Sequence, residues 1–77
     1  MIFERLRAVL SEMFAVDGDE ITPETDLRQD LEADSLDLFE LMTVLEEEYE
    51  ISDREREELR GLNKAGEIAR YIQEHLE

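Results

Sequence analysis

Ser35 is set apart by its neighbours. It lies in Asp30-Leu31-Glu32-Ala33-Asp34-Ser35-Leu36-Asp37-Leu38-Phe39-Glu40-Leu41, with acids on both sides and a leucine directly after it. A serine hydroxyl is a weak nucleophile until a base takes its proton. The chain offers no obvious base, because its one histidine, His75, is two residues from the last residue, where it reads as a surface side chain in a frayed tail. There is no Gly-x-Ser-x-Gly elbow to hold a hydrolytic serine. There is no cysteine, which excludes a thiolate nucleophile, a thiolate metal site and a disulfide framework. Calcium loops fail as well. Counting from Asp17 puts Ile21 fifth and Arg28 last, and counting from Asp30 puts Ser35 sixth and Leu41 last. No metal site is expected. Ser35 is then either a helix cap, the ordinary role of serine at a helix start, or a group on which another protein acts.

The charge surrounding it is lopsided. The chain has 77 residues, with 8 Lys and Arg against 23 Asp and Glu, a net charge of −15 and a pI near 4.2. From Gln29 to Asp53 there are ten acids and no Lys or Arg. A run like this is usually a solvated helix face. Combined with an outward leucine at position 36, it also suits docking of a basic partner, where complementary charge speeds encounter and sets orientation. Binding to nucleic acid is not expected, since a phosphate backbone is repelled and no basic stripe exists. The longest unbroken apolar run, Met13 to Val16, is far too short for a membrane span or signal peptide. A cytoplasmic monomer is expected. Self-repulsion on this scale works against compaction, so the fold should be marginal and tighten with salt, divalent cations or mild acid.

The elements that position Ser35 follow from periodicity. A first helix is expected over Ile2 to Phe14, with Phe3, Leu6, Leu10, Met13 and Phe14 on one face. A long loop follows from Asp17 to Asp34, with a short helical turn capped at Thr22-Pro23 and with Leu27 and Leu31 as anchors. The second helix is expected over Ser35 to Glu50, capped by Asp34, with Asp37 in its first turn. Its buried face is Leu38, Leu41, Met42, Leu45 and Tyr49, while Leu36, Glu40, Thr43, Glu47 and Glu50 face water. Ser52-Asp53-Arg54-Glu55 has capping-box form and opens a short helix ending near Arg60-Gly61, with Leu59 and Leu62 inward. A last helix, capped by Asn63, is expected over Lys64 to His75, with Ala65, Ile68, Ala69, Ile72 and Leu76 as its stripe. No strand is expected. The expected fold is all-α: one domain over residues 1–77, a small bundle of three longer helices and one short helix, with the long loop between the first two.

The segment Asp-Leu-x-Ala-Asp-Ser-Leu-Asp-x-x-Glu-Leu, followed by Leu45-Glu46-Glu47-Glu48-Tyr49 and preceded by Ile21-Thr22-Pro23-Glu24-Thr25-Asp26-Leu27, closely resembles the acyl carrier proteins. The resemblance covers most of the chain and is tightest from Ile21 to Tyr49. It implies that Ser35 is esterified by 4′-phosphopantetheine donated by coenzyme A, on which acyl groups ride as thioesters between enzymes of fatty-acid, polyketide or related lipid synthesis. It implies a carrier with no catalysis of its own, since the base and Mg²⁺ for loading come from a phosphopantetheinyl transferase. Acyl-transferring and condensing enzymes with basic patches would dock on Asp34, Leu36, Asp37, Glu40, Glu46 and Glu47. A shielded acyl chain would enter near Phe39, Leu45, Leu59, Leu62, Ile68 and Ile72, residues that are otherwise plain core. Three departures stand out. Glu32 occupies a position where the family usually has Gly, Thr43 one that is often apolar, and the segment after Tyr49 is recast as Ile51-Ser52-Asp53 and an Arg- and Glu-rich stretch. The alternative is an acidic helical interaction module without a prosthetic group, which would have no need of a serine at position 35.

Overall fold

The computed structural model describes residues 2–76. The first helix, α1, runs over Ile2–Phe14 as the apolar spacing predicts, burying Leu6 and Leu10. It ends at Ala15, which takes a left-handed φ of 55°. Ser11 then holds the exit by donating its hydroxyl to the Val16 carbonyl. The short helical turn falls at Gly18–Glu20 rather than at Thr22-Pro23, because Asp17 caps it by accepting the Asp19 N–H at 2.9 Å. Thr22 instead opens a tight turn, its carbonyl accepting the Thr25 N–H at 3.0 Å.

The long loop is tied down by the far end of the chain. Leu27 N–H donates to the Asn63 carbonyl at 2.8 Å, Ala65 N–H to Thr25 at 2.9 Å and Gly66 N–H to Pro23 at 2.9 Å. Asp26 and Lys64 form an isolated antiparallel bridge, the nearest thing to a strand among the described residues. Leu27 is the fully buried anchor, Leu31 is only half-buried, and Ile21 and Thr25 are buried beside them. Burying an aliphatic side chain such as Leu27 or Ile21 contributes about 1.5–3 kcal/mol, which holds the loop against the core.

The second helix, α2, spans Ser35–Glu46, four residues shorter than predicted. Three consecutive acids, Glu46 to Glu48, lie where the helix dipole disfavours negative charge, and the last turn has no basic residue. The chain tightens there, with the Glu48 and Tyr49 N–H groups both donating to the Leu45 carbonyl, at 3.1 and 3.0 Å. Leu38, Leu41, Met42 and Leu45 are buried as predicted, and Tyr49 packs against the core from beyond the helix end.

The third helix, α3, covers Asp53–Arg60 behind the expected Ser52/Glu55 capping box, with bonds of 3.2 and 3.0 Å. Leu59 is its one buried residue among those described. Two polar ties supplement it: Arg56 pairs with Glu46 of α2, and Tyr71 donates its hydroxyl to Glu58. Partial burial of the Tyr71 phenol, then the Glu58 carboxylate, push its pKa up to about 12. The fourth helix, α4, is Ala65–Tyr71 and continues as a wider π turn over Ile72–Leu76. Lys64, not Asn63, holds its N-cap position. The Asn63 side chain is engaged elsewhere, accepting from Arg28 Nε at 3.1 Å. Ala65, Ile68, Ala69 and Ile72 are buried and Leu76 is half-buried, so the four α-helices share one core.

Two positions have opposite backbone demands. A Cβ on Gly66 would come within 2.8 Å of both the Cβ and the carbonyl oxygen of Pro23, so glycine is needed where loop and α4 meet. Glu32 sits at a left-handed φ of 58°, which suits glycine better. Gly66→Ala is therefore expected to cost about 1–3 kcal/mol by overpacking. Glu32→Gly should be neutral or gain up to about 1 kcal/mol, as relief of strain outweighs the added freedom of the unfolded chain. Urea unfolding of the two variants beside the parent measures both signs.

Candidate functional site

Capping at the start of α2 is done by Asp34. Its carboxylate accepts the Asp37 N–H at 2.9 Å, and the Asp37 carboxylate accepts the Asp34 N–H at 3.1 Å. Ser35 is exposed in the first turn, and among the described residues no side-chain hydrogen bond holds its hydroxyl. The chain's other serines are engaged: Ser11 with the Val16 carbonyl, Ser52 in the α3 cap. The capping role available to Ser35 on sequence alone is thus filled by its neighbour, and its oxygen is left facing solvent.

The bond from the Asp37 N–H is the main reason the Asp34 carboxyl is held below its ordinary value of 3.8. Slight desolvation opposes that, while the Asp37 side chain and the Leu36 N–H act in the same direction.

Ser35 opens onto a cleft of about 440 Å³. Buried Leu38 and Met42 form its base, and Leu36 and Phe39 its apolar lip. Arg28 from the loop and Arg56 and Arg60 from α3 also line it. Leu36 is 73% exposed, as its place opposite the core face predicts. Phe39 is 60% exposed. At about 100° per residue it lies well off the Leu38–Leu41–Met42–Leu45 stripe, so periodicity held the signal for its outward position. Leu45, Leu59, Ile68 and Ile72 are packed into the core and Leu62 is half-buried; none of these five lines the cleft with Phe39. Of the acids, Glu40 and Glu47 are exposed on α2 and at its C-cap, Asp37 is half-buried and engaged in the cap, and Glu46 turns toward α3 to meet Arg56. Sequence reasoning missed the three arginines: Arg28 comes from the preceding loop, and Arg56 and Arg60 from α3, well beyond α2.

An exposed, unengaged hydroxyl at a helix start beside a partly apolar cleft suits a serine that is covalently derivatised. A bulky phosphodiester there meets open solvent and the N-terminal N–H groups of α2, which favour anions, although Asp34 and Asp37 oppose part of that effect. The residues present fit a 4′-phosphopantetheine group.

Comparison with known proteins defines the class. Residues 4–72 match the family described as "Phosphopantetheine attachment site". Over 76 residues the chain is 40% identical to an acyl carrier protein of Clostridium perfringens, covering 99% of each. It is 41% identical to one of Rubrobacter xylanophilus, covering 96% of this chain and 90% of the relative, and 38% identical to one of Helicobacter pylori, covering 96% and 94%. The chain belongs to the acyl carrier protein family, whose phosphopantetheine-binding domain bears that group covalently. Membership makes it a carrier rather than an enzyme and sets aside the module lacking a prosthetic group. No helix among the described residues is long and apolar enough to cross a membrane.

The lowered pKa of Asp34 has a definite sign. A depressed folded-state value means that its share of stability is complete above the ordinary value and is lost as pH falls through the lower folded one. The Asp37 amide resonance is expected to hold its capped position at pH 5 and to move only as pH falls below the ordinary carboxyl value, through the lower folded one. Asp34→Asn keeps a good cap and should remove Asp34's share of the dependence. An NMR titration of amide shifts between pH 5 and 2 checks both.

Proposed function

We propose that this chain is a single-domain, cytoplasmic, monomeric acyl carrier whose 4′-phosphopantetheine is attached at Ser35. The observation that carries the reading is the free Ser35 hydroxyl, displayed at the first turn of α2 because Asp34 does the capping. When bound, the group supplies a terminal thiol that holds acyl cargo as a thioester. The chain has no cysteine to compete for that cargo.

The protein's own residues supply an address. The one histidine, His75, is not among the residues lining the cleft at Ser35, so the base that takes the serine proton belongs to the phosphopantetheinyl transferase. Exposed Leu36 gives that partner a small apolar anchor, and Glu40 and Glu47 present negative charge along the same helix and its end. Asp34, Asp37 and Glu46 add to the same potential while also holding the structure, through the cap and through Arg56. Acyl-transferring and condensing enzymes with basic patches would find the same face. Such steering acts on encounter rates and is screened by salt. The pathways served are those of fatty-acid or related acyl-chain synthesis.

Incubation with coenzyme A and a transferase, followed by intact-mass measurement, tests the reading. The parent is expected to gain one phosphopantetheine. Ser35→Ala should gain none while keeping its helical circular dichroism; a variant still loaded would move the site to Ser11 or Ser52. The double reversal Glu40→Lys with Glu47→Lys should slow loading about tenfold at low ionic strength, the difference shrinking as salt rises. An unchanged rate and salt dependence would remove this face from the docking surface.

A further inference from the structure

Three of the chain's eight basic residues line the cleft beside Ser35, on a molecule of net charge −15. They are not equivalent. Arg56 is half-buried and paired with Glu46. Arg60 shares an exposed ion pair with Glu57 at 3.1 Å, a contact worth little in water. Arg28 takes part in no ion pair among the described residues. Its Nε donates to the neutral Asn63 Oδ1 at 3.1 Å, which orients the guanidinium while its terminal nitrogens remain available to another acceptor. A guanidinium fork of this kind matches a carboxylate in a two-point contact.

We propose that the cleft selects acyl cargo ending in a carboxylate, with Arg28 as the receiving cation and Arg60 as the second guanidinium of the same cleft. The inference rests on the carrier reading and names its cargo class. Over most of this acidic surface a cargo carboxylate is repelled into solvent, whereas at the cleft it meets cations. The intervening methylenes meet Leu38 and Met42 at the base and Phe39 at the lip. A volume of about 440 Å³ is within the range of about 300–1,000 Å³ typical of small-molecule sites. Tethering at Ser35 gives the cargo a local concentration on the order of millimolar, so a contact too weak to hold a free ligand still populates the folded-back state.

The test compares two six-carbon cargoes, adipoyl and hexanoyl, loaded by a transferase from their coenzyme A thioesters and verified by intact mass. Both carry the same phosphodiester, so a difference between them reports the terminal carboxylate. The adipoyl form is expected to shift the amide resonances of Arg28, Phe39, Met42 and Arg60 more than the hexanoyl form does. Its thioester should react with hydroxylamine about threefold more slowly, the size that an exposed ion pair supports. Arg28→Gln with Arg60→Gln, which keeps polar stems on exposed positions, should erase both differences. Equal shifts and rates for the two cargoes in the parent, or a difference that survives in the double variant, would overturn the cargo inference with the carrier reading intact. Failure of the parent to accept either arm would remove both.

Discussion

Two reciprocal bonds between Asp34 and Asp37 set the start of α2, and the display of Ser35 depends on them. A helix begins with N–H groups that lack intrahelical partners, and some acceptor must take them. If serine took them, its oxygen would be spent on the backbone. Here the residue before it does so, and the reciprocal carboxylate at the third position locks the geometry. The hydroxyl is thereby fixed in position yet chemically unclaimed. Ser52, which has the capping duty at α3, shows what the same side chain does when no acid precedes it.

The second organising constraint is charge. Fifteen negative charges remain after every Lys and Arg is matched, and most of the six ion pairs among the described residues are exposed and contribute little. The molecule sorts its charges instead. Acids run along α2 and accumulate at its end, where they oppose the dipole and stop the helix at Glu46. Arginines of α3 are drawn to that end and to the cleft, with Arg56 meeting Glu46. One surface of α2 then offers negative charge and an exposed leucine to visiting proteins, while the cleft next to Ser35 is edged with positive charge. Encounter and cargo are served by opposite potentials on neighbouring surfaces.

The long loop is structural. Three backbone hydrogen bonds to residues 63–66, with Ile21, Thr25 and Leu27 buried, make it a third side of the bundle. Its last residues deliver Arg28 and the Asp34 cap to the same region. By contrast α3 is lightly held, by Leu59, Arg56 and the Tyr71–Glu58 bond, so the cleft has one firm wall and one that rests on few contacts.

Local chemistry was legible in the sequence because its interactions span three or four residues. The Asp34 cap, the α3 capping box, the bounds of α1, the buried stripe of α2 and the outward Leu36 all follow from such spacing, and all are present. Phe39 was grouped with the core residues instead and is exposed, although its helical angle already set it off the buried stripe. What failed were the end of α2, the position of the short helical turn and the cap of α4, each decided by which partner wins a backbone group or a side chain. Asn63 is the clearest case: its type suits a cap, but Arg28, thirty-five positions away, holds it. The gathering of Arg28, Arg56 and Arg60 around Ser35 has no sequence signature either. Those side chains meet only because the loop docks on the start of α4 and α3 crosses to α2. Contacts over such separations depend on which surfaces bury together, and a one-dimensional pattern does not encode that.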